Sequence, residues 1–443
     1  MRRLHGAEEA EAFFAGRSWA LDDPLPDQIR DSVRRVFGED LTALQVAARI
    51  IADVRRDGDR AVLQHSGRID GMELEFIEVP ADEMSAAARE LPSDVLRSLE
   101  TAAQRIEGFQ KSALPVGWTD SDESYGEVVT PVGRAGTYVP AGVAPLASTV
   151  LMTAIPARVA GVSEVILCTP APGGRLPDAS ILAAASIAGV DRIFKIGGAQ
   201  AIAAMALGTE TVPAVDIVCG PGNIFTTAAK KLLYGEVGID GIFGPTETLV
   251  IADANANPEF CAADLIAQAE HDPMARPVLV TTSPELADQV ETALDEQLAR
   301  LDRRAIAKAA LDDNGAIVLV GTVEEAVRVA NAMAPEHLCL SVTEPDRYVP
   351  LVKSAGGIFV GEYSAEVLGD YVAGPSHVMP TSGTARFASA LSVRSFLRFT
   401  PVVAMGADAF LDIGKHAVEL AKLEGLGGHA AAADIRLRKL VGE

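Results

Sequence analysis

The segment "NAMAPEHLCL" (residues 331–340) places an acid, Glu336, beside a base, His337, in an otherwise apolar run. Pro335 should end the preceding helix, because proline has no backbone N–H to donate. The apolar residues after His337 predict the start of a buried strand. The pair therefore lies at a junction, where side chains can face a cleft while the backbone stays rigid. Local sequence alone leaves open the alternative of a surface loop that happens to contain both residues.

Two glycine-rich turns form a second candidate site. They read "IGGAQAIAA" (196–204) and "CGPGNIFTTAAKK" (219–231), and each follows a predicted strand and leads into a predicted helix. The N–H groups at such a helix end suit an anion, for example the pyrophosphate of a dinucleotide. Neither turn has the full G-x-G-x-x-G pattern, and glycine alone can explain a tight turn. Each turn, however, has a carboxamide, Gln200 or Asn223, near the start of its helix.

The segment "PEFCAADLIAQAEHDP" (258–273) predicts a helix that begins at Pro258 and ends near His271. Gln268 and His271 are three residues apart, so they share one face of this helix. Together they could hold a metal ion, although a glutamine oxygen is an uncommon zinc ligand. The alternative is a histidine that is favoured at the helix C-terminus by the helix dipole.

Two further segments combine acids and histidines with flexible residues. "LGDYVAGPSHVMPTSGTARF" contains Asp370 and His377, and "EGLGGHA" contains Glu424 and His429. The sequence lacks a G-x-S-x-G turn, which argues against a serine hydrolase. Cys219, beside the second glycine turn, could be a thiol nucleophile. Buried packing is the more usual role of a free cysteine.

The composition narrows the class of protein. The 443 residues are 49% hydrophobic and 22% charged, with a formal net charge of −23. Such a charge repels nucleic acid and attracts a small cationic substrate. The four cysteines have no C-x-x-C spacing, and the chain has neither a membrane-length apolar run nor a secretion signal at its N-terminus. We therefore expect a cytoplasmic protein with reduced thiols that binds neither nucleic acid nor membrane.

The predicted elements indicate an α/β fold. Residues up to about 115 have the apolar spacing of helices, and short β-branched strands then alternate with helices. This alternation predicts parallel sheets that are covered by helices, with ligands at the carboxyl ends of the strands. A glycine-rich, aperiodic stretch near Gly244 separates two α/β units, and the last fifty residues predict a helical tail.

Seven ordered segments resemble the histidinol dehydrogenase family, zinc- and NAD-dependent enzymes of histidine biosynthesis. They are "GGAQAIAAMALGTETVPAVD", "GPGNIF", "GPTETLVIAD", "DLIAQAEHDP", "APEHL", "GDYVAGPSHVMPTSGTARF" and "EGLGGHA". The resemblance implies an α/β fold of two incomplete Rossmann-like domains in an intertwined homodimer. It implies a helical arm at 1–35, a discontinuous domain at 36–137 and 247–391, an inserted domain at 138–246 and a helical tail at 392–443.

The resemblance also implies roles for individual residues. His337 matches the general base of the family, and Glu336 matches the residue that activates water on the bound aldehyde. One Zn²⁺ per subunit would orient the substrate rather than act on the carbon that is oxidised. The implied zinc ligands are Gln268, His271, Asp370 and His429; the NAD contacts are Tyr138, Gln200 and Asn223; the contacts to L-histidinol are Thr246, Gln268, His271, His337, Asp370, Glu424 and His429. The tail of the neighbouring subunit would supply Glu424 and His429.

Some features keep alternatives open. Ala141 stands where the family usually has a glycine after the cofactor tyrosine, and Thr246 stands where many members have serine. One rival is a zinc- and NAD-dependent dehydrogenase of another polar alcohol, such as a sulfonated diol. Others are a zinc hydrolase, since a metal with Glu and His also suits activated water, and a non-catalytic dimer descended from the enzyme.

Overall fold

The structure is a computed structural model that describes residues 1–15, 21–140 and 145–442. Ala141 and residues 16–20 of the predicted N-terminal arm lie outside the described residues. The chain divides into two compact units. The first comprises Met1–Ala113 and Val132–Phe396, and the second comprises Leu114–Pro131 and Leu397–Glu443.

The strands are β1 (Arg2–His5), β2 (Trp118–Asp120), β3 (Tyr125–Pro131), β4 (Arg134–Tyr138), β5 (Glu164–Cys168), β6 (Arg192–Phe194), β7 (Ile217–Cys219), β8 (Gly238–Ile239), β9 (Glu247–Ala252), β10 (Arg276–Thr281), β11 (Ala316–Leu319), β12 (His337–Ser341), β13 (Gly357–Val360) and β14 (Leu397–Val403). The α-helices are α1 (Ala7–Ala15), α2 (Asp27–Phe37), α3 (Ala43–Asp57), α4 (Asp59–Asp70), α5 (Ala81–Glu90), α6 (Ser93–Ser112), α7 (Ala147–Ala160), α8 (Ala179–Ala188), α9 (Gly198–Leu207), α10 (Ile224–Leu233), α11 (Pro258–Ala269), α12 (Pro284–Leu298), α13 (Arg304–Asp313), α14 (Val323–Met333), α15 (Glu366–Tyr371), α16 (Ala407–Leu423) and α17 (Gly427–Val441).

The first unit contains two parallel sheets. One has the strand order β6-β5-β4-β7-β8, and the other has the order β1-β11-β10-β9-β12-β13. Helices cover the central strands, which are buried on both faces, as the continuous apolar runs in the sequence predict. Small residues allow the close packing: a Cβ at Gly136 in β4 would lie 2.7 Å from Met205 Sδ of α9. The predicted α/β class with parallel sheets is confirmed.

The first residues of the chain differ from the predicted helical arm. Arg2 to His5 form strand β1, which pairs in parallel with β11 at the edge of the six-stranded sheet. Only Leu4 of these four residues is buried. So short a strand, with one buried side chain, has no period that could reveal it in the sequence, and its partner lies more than 300 residues away.

The second unit joins the tail to an earlier segment. Strand β14 pairs antiparallel with β3, which also pairs with β2. The hairpin of α16 and α17 completes the unit, with a small core of Val418, Ala421 and Ala430. The tail is therefore not helical throughout as predicted, because its β-branched segment Leu397–Val403 is long enough to form a strand. No helix in the described part of the chain has the length and apolar character that crossing a membrane requires.

Candidate active site

Glu336 and His337 lie where α14 gives way to β12. The helix ends at Met333, before Pro335, and the strand begins at His337, as predicted. Both side chains are buried. The alternative of a surface loop is therefore wrong, because burial of two ionisable groups demands specific partners.

The ring of His337 is fixed by a backbone carbonyl. Its Nδ1 lies 3.2 Å from the carbonyl oxygen of Glu247, on the neighbouring strand β9. If Nδ1 carries the proton and donates it to this carbonyl, Nε2 of the neutral ring has a free lone pair. Nε2 is buried without a hydrogen-bond partner in the described structure, and it lies 3.4 Å from Asp370 Oδ1. This nitrogen is therefore the atom that can accept a proton from a ligand.

The carboxylate of Glu336 is held by one of its two oxygens. Oε2 accepts hydrogen bonds from the hydroxyl of Thr246, at 2.6 Å, and from the backbone N–H of Glu247, at 3.2 Å. Burial raises the pKa of Glu336 to about 7, although the charge of His337 and these hydrogen bonds oppose the shift. An acid with a pKa near neutrality is suited to taking and returning a proton.

The charges around His337 favour its protonated form. Burial lowers its pKa, but the carboxylates of Glu336 and Asp370 outweigh burial and raise the pKa to about 10. Burial in turn raises the pKa of Asp370, while the positive charge of the nearby His337 ring brings that pKa below the ordinary value. The protonated ring of His337 therefore balances the negative charges of Glu336 and Asp370. A metal cation bound at Asp370 could supply this positive charge instead, which would leave His337 neutral.

The hydrogen bonds of Gln268 test whether it can be a metal ligand. Thr246 Oγ1 lies 2.9 Å from one end of the Gln268 amide, whose other end lies 3.2 Å from Asp370 Oδ2. Gln268 Oε1 faces the Thr246 hydroxyl, and Gln268 Nε2 donates to Asp370 Oδ2. The side chain is thus oriented beside the Asp370 carboxylate, and its amide oxygen is the atom that could bind a metal. An amide oxygen, a carboxylate and an imidazole are donors that Zn²⁺ can accept, so Gln268, Asp370 and His271 fit a metal by their chemistry.

His271 follows α11, which begins at Pro258 and ends at Ala269, close to the predicted bounds. His271 is exposed as a residue, but neighbouring groups partly desolvate its ring and lower its pKa, which favours the neutral imidazole that binds metals. Glu424 and His429 belong to the second unit, at the end of α16 and in the first turn of α17, and both are exposed. Among the described residues, no group of three or more His, Cys, Asp or Glu side chains is placed to hold a metal ion.

Two further residues position this site: Glu247, which no sequence motif marks, and His377, which the sequence places near Asp370 without indicating a role. Glu247, at the start of β9, offers its carbonyl to His337 and its N–H to Glu336. The Nδ1–H of His377 donates to the Asp370 backbone carbonyl at 2.8 Å, and its Nε2 lies 3.0 Å from the Thr149 hydroxyl. Both residues act through backbone groups that meet only in the folded chain. The proximity of His377 to Asp370 in sequence was the one available signal.

The three predicted NAD contacts lie together around a cavity of about 330 Å³. Tyr138 ends β4, and its hydroxyl accepts the N–H of Gly198 at 3.0 Å. Gln200 and Asn223 line the same cavity. Asp70, which no sequence motif marks, also lines it and accepts a 2.9 Å hydrogen bond from Gln200 Nε2. Burial raises the pKa of Asp70 to about 6, against the effect of this hydrogen bond.

A buried ion pair holds the second glycine turn. Gly220 donates its N–H to Asp240 Oδ2, at 2.7 Å, and accepts from Lys230 Nζ, at 3.0 Å. Lys230 and Asp240 are themselves ion-paired, and both side chains are buried. Gly220 has a φ of +115°, and a Cβ there would collide with the Tyr138 carbonyl oxygen, so glycine is required. The ion pair, defined here as the Lys230–Asp240 clamp, fixes the turn that carries Asn223.

Cys219, next to this turn, is unsuited to nucleophilic chemistry. Its side chain is completely buried, and burial raises the pKa of its thiol well above the ordinary value. A reactive cysteine needs accessible thiolate. The thiol nucleophile that the sequence left open is therefore wrong.

The two sites use opposite ends of their strands. The cavity lies beyond the carboxyl ends of β4, β6 and β7, as expected for a parallel sheet. Glu336 and His337 instead lie at the amino end of β12, beside the amino end of β9. The candidate residues therefore lie at the carboxyl ends of the strands in the five-stranded sheet and at the amino ends in the six-stranded sheet. In the six-stranded sheet, Glu336 precedes strand β12, and His337 and Glu247 begin strands β12 and β9.

Comparisons with known proteins agree with this architecture. A family model described as histidinol dehydrogenase matches residues 34–437. The histidinol dehydrogenase of Deinococcus radiodurans is 45% identical over 442 residues, covering 99% of this chain and 100% of the relative. That of Thermus thermophilus is 45% identical over 438 residues, covering 98% and 100%. A crystal structure of histidinol dehydrogenase from Elizabethkingia anophelis, 32% identical, superposes with a TM-score of 0.91 and covers 100% of this chain and 99% of its own.

The fold and these relatives identify an NAD-dependent oxidoreductase. The chain belongs to the histidinol dehydrogenase family. The resemblance inferred from the seven sequence segments is thereby confirmed. Neither the sulfonated-diol dehydrogenase nor the zinc hydrolase has support among these relatives. The individual site roles, the homodimer and the four domain ranges stay predictions.

Proposed function

We propose that this chain oxidises L-histidinol, through L-histidinaldehyde, to L-histidine, with the reduction of two NAD. The family of its relatives supports this substrate. The observation that carries the proposal is the buried Nε2 of His337, which has no hydrogen-bond partner in the described structure and lies 3.4 Å from Asp370. It is a base held beside the proposed metal ligands.

His337 is the base of the first oxidation. Its Nε2 takes the proton of the alcohol as a hydride leaves the same carbon, and the aldehyde forms. The Glu247 carbonyl, which accepts the Nδ1–H, keeps the ring in place and stabilises the imidazolium that results. Bound NAD supplies the hydride acceptor, and Tyr138, Gln200 and Asn223 would hold it.

Glu336 serves the second oxidation. It takes one proton from the water that adds to the aldehyde. The second hydride of the hydrate would pass to a second NAD, and the remaining acidic proton goes to solvent as the carboxylate forms. The two hydrogen bonds from Thr246 and Glu247 both end on Oε2. Oε1, which accepts none of the hydrogen bonds described for this side chain, is the oxygen available to that water.

Gln268, His271, Asp370 and His429 would hold Zn²⁺. When bound, the metal supplies a template that orients the imidazole and amine of the substrate. Glu424 would contact the amine, because a carboxylate suits a cationic group. Thr246, Gln268, His271, His337, Asp370 and His429 complete the proposed substrate contacts.

We also place the function in the cytoplasm, in a homodimer. The four cysteines, Cys168, Cys219, Cys261 and Cys339, are free and buried, which is typical of proteins in reducing compartments. The exposed positions of Glu424 and His429 suit residues that serve the site of a neighbouring subunit. Sedimentation velocity measures the oligomeric state, and a monomer with full activity would contradict the homodimer.

The test of the function is NADH absorbance after histidinol and NAD are added, with and without a chelator. We expect two NADH per histidinol and loss of the signal in the chelated enzyme. Rescue of a host that lacks histidinol dehydrogenase separates this activity from the sulfonated-diol alternative. Absence of both NADH and rescue, at good expression, would reject the proposal.

A further inference from the structure

A second cavity adjoins the one around Tyr138. It has a volume of about 410 Å³ and is lined by Ser32, Arg35, Val36, Arg68 and Ile69. Ser32, Val36 and Ile69 line both cavities, so the two spaces share a wall. We call the first the Tyr138 cavity and the second the arginine notch.

The Tyr138 cavity suits the uncharged parts of a dinucleotide. Its walls are mainly apolar, with Val33, Phe37 and Ile50 among them. Among its described lining residues, Asp70 is the one that carries a charge at neutral pH, and that charge is negative. A carboxylate suits ribose hydroxyls, but it repels phosphate. The pyrophosphate of a bound dinucleotide must therefore find its positive partners elsewhere.

The helix ends at this cavity have some of their N–H donors already engaged. Asn223 Oδ1 already accepts the N–H groups of Phe225 and Thr226, the first free donors of α10. The N–H of Gly198, at the start of α9, is donated to the Tyr138 hydroxyl. The donors that usually cradle a phosphate at a helix N-terminus are therefore partly engaged.

The arginine notch offers positive charge next to this cavity. Arg35 donates to Ser32 Oγ at 2.9 Å, which holds its guanidinium against the shared wall. Both Arg35 and Arg68 are exposed. One guanidinium group can donate two parallel hydrogen bonds to two oxygens of a phosphate. A volume of about 330 Å³ is near the lower end for ligand pockets, about 300–1,000 Å³. A dinucleotide therefore extends beyond the Tyr138 cavity.

We propose that Arg35 and Arg68 bind the diphosphate of NAD in the arginine notch. The proposal rests on the proposed function only in taking NAD as the ligand of the Tyr138 cavity. It assigns the phosphate contacts to α2 and α4 rather than to the glycine turns.

The test is the double variant Arg35→Gln/Arg68→Gln, with Arg34→Gln as the matched control. Arg34 lies on the same helix and is exposed, but it pairs with Asp40 at 2.6 Å and does not line the notch. We expect the double variant to raise the KM for NAD roughly tenfold, as two lost charge-assisted hydrogen bonds would. The value of kcat and the KM for histidinol stay within about twofold, and the control stays unchanged.

Calorimetry separates this inference from the activity. The unmodified protein should bind ADP more tightly than adenosine, and the double variant should lose that preference. If the unmodified protein forms no NADH from histidinol but shows this arginine-dependent preference, the proposed function fails and the phosphate site stands. Three results would overturn the proposal. The double variant could keep an unchanged KM for NAD, or Arg34→Gln could show an equal rise. The double variant could also bind NADP more weakly while its binding of NAD stays unchanged.

Discussion

Glu336 and His337 are neighbours in the chain, yet different groups hold them. Glu336 is fixed through Oε2 by Thr246, whereas His337 is fixed through Nδ1 by the carbonyl of Glu247. The Glu247 backbone thus contacts both residues, through its N–H and its C=O. Two adjacent side chains can therefore act in separate proton transfers.

For Glu336→Gln, we expect retained alcohol oxidation and loss of aldehyde oxidation. The amide is nearly isosteric with the acid but cannot accept a proton from water. Supplying the aldehyde directly, with stopped-flow detection of NADH, measures the second step alone. Aldehyde oxidation at the unmodified rate would show that Glu336 does not activate water.

For His337→Asn, we expect alcohol oxidation to fall by roughly 10²- to 10⁴-fold, the usual contribution of a general base. The aldehyde step should be affected less, because its proton goes to Glu336. Single-turnover rates with each substrate provide the comparison. Equal losses in both steps for both variants would contradict the division of roles.

For His271→Ala, we expect loss of bound zinc and of activity in a protein that remains folded. His271 is exposed beyond the end of α11, so its removal leaves no cavity in the core. Metal content by mass spectrometry and thermal unfolding check both parts. His5 is another exposed histidine, and the control variant His5→Ala should retain zinc. Full turnover in metal-free His271→Ala would show that His271 is not a ligand of an essential zinc ion.

At the scale of elements, the Lys230–Asp240 clamp links α10 to the turn at Gly220. Lys230→Met leaves Asp240 buried without its partner, which costs about 3–5 kcal/mol of unfolding free energy. We also expect a higher KM for NAD, because the turn that carries Asn223 loses its restraint. Denaturant unfolding and initial-rate kinetics measure the two effects.

The clamp also has matched controls. The double variant Lys230→Met/Asp240→Asn removes both charges. Its asparagine oxygen can still accept the hydrogen bond from the Gly220 N–H. We therefore expect part of the lost stability and part of the lost NAD affinity to return. Lys308→Met breaks the exposed pair with Asp312 and should cost less than about 1 kcal/mol. A double variant no better than Lys230→Met would show that the charge balance is not the cause.

The elements differ in how far the sequence could predict them. Pro258 and Pro335 correctly marked the start of α11 and the end of α14, because proline restricts the backbone locally. Strand β1 was not predicted from the sequence, because it is stabilised by pairing with β11, which lies far away in the chain. The contacts of His377 and Glu247 likewise depend on backbone groups of other elements. Local rules predict where elements begin, whereas these pairings arise from the tertiary fold.

At the scale of the whole molecule, the net charge of −23 should favour a cationic substrate. Raising NaCl from about 0.02 M to about 0.5 M shortens the screening length several-fold. We expect the KM for histidinol to rise about two- to fivefold with little change in kcat. Sucrose at equal osmolarity is the control, and a KM that is independent of salt would argue against electrostatic attraction.

The placement of the two sites at opposite strand ends has a consequence for protein engineering. The hydrogen bonds described for Gln200 and for Glu336 have no residue in common. Substitutions that share no partners usually combine additively. Libraries that redirect nucleotide preference at Asp70 and libraries that accept new alcohols at Thr246 can therefore be screened separately, and their best members joined in one chain.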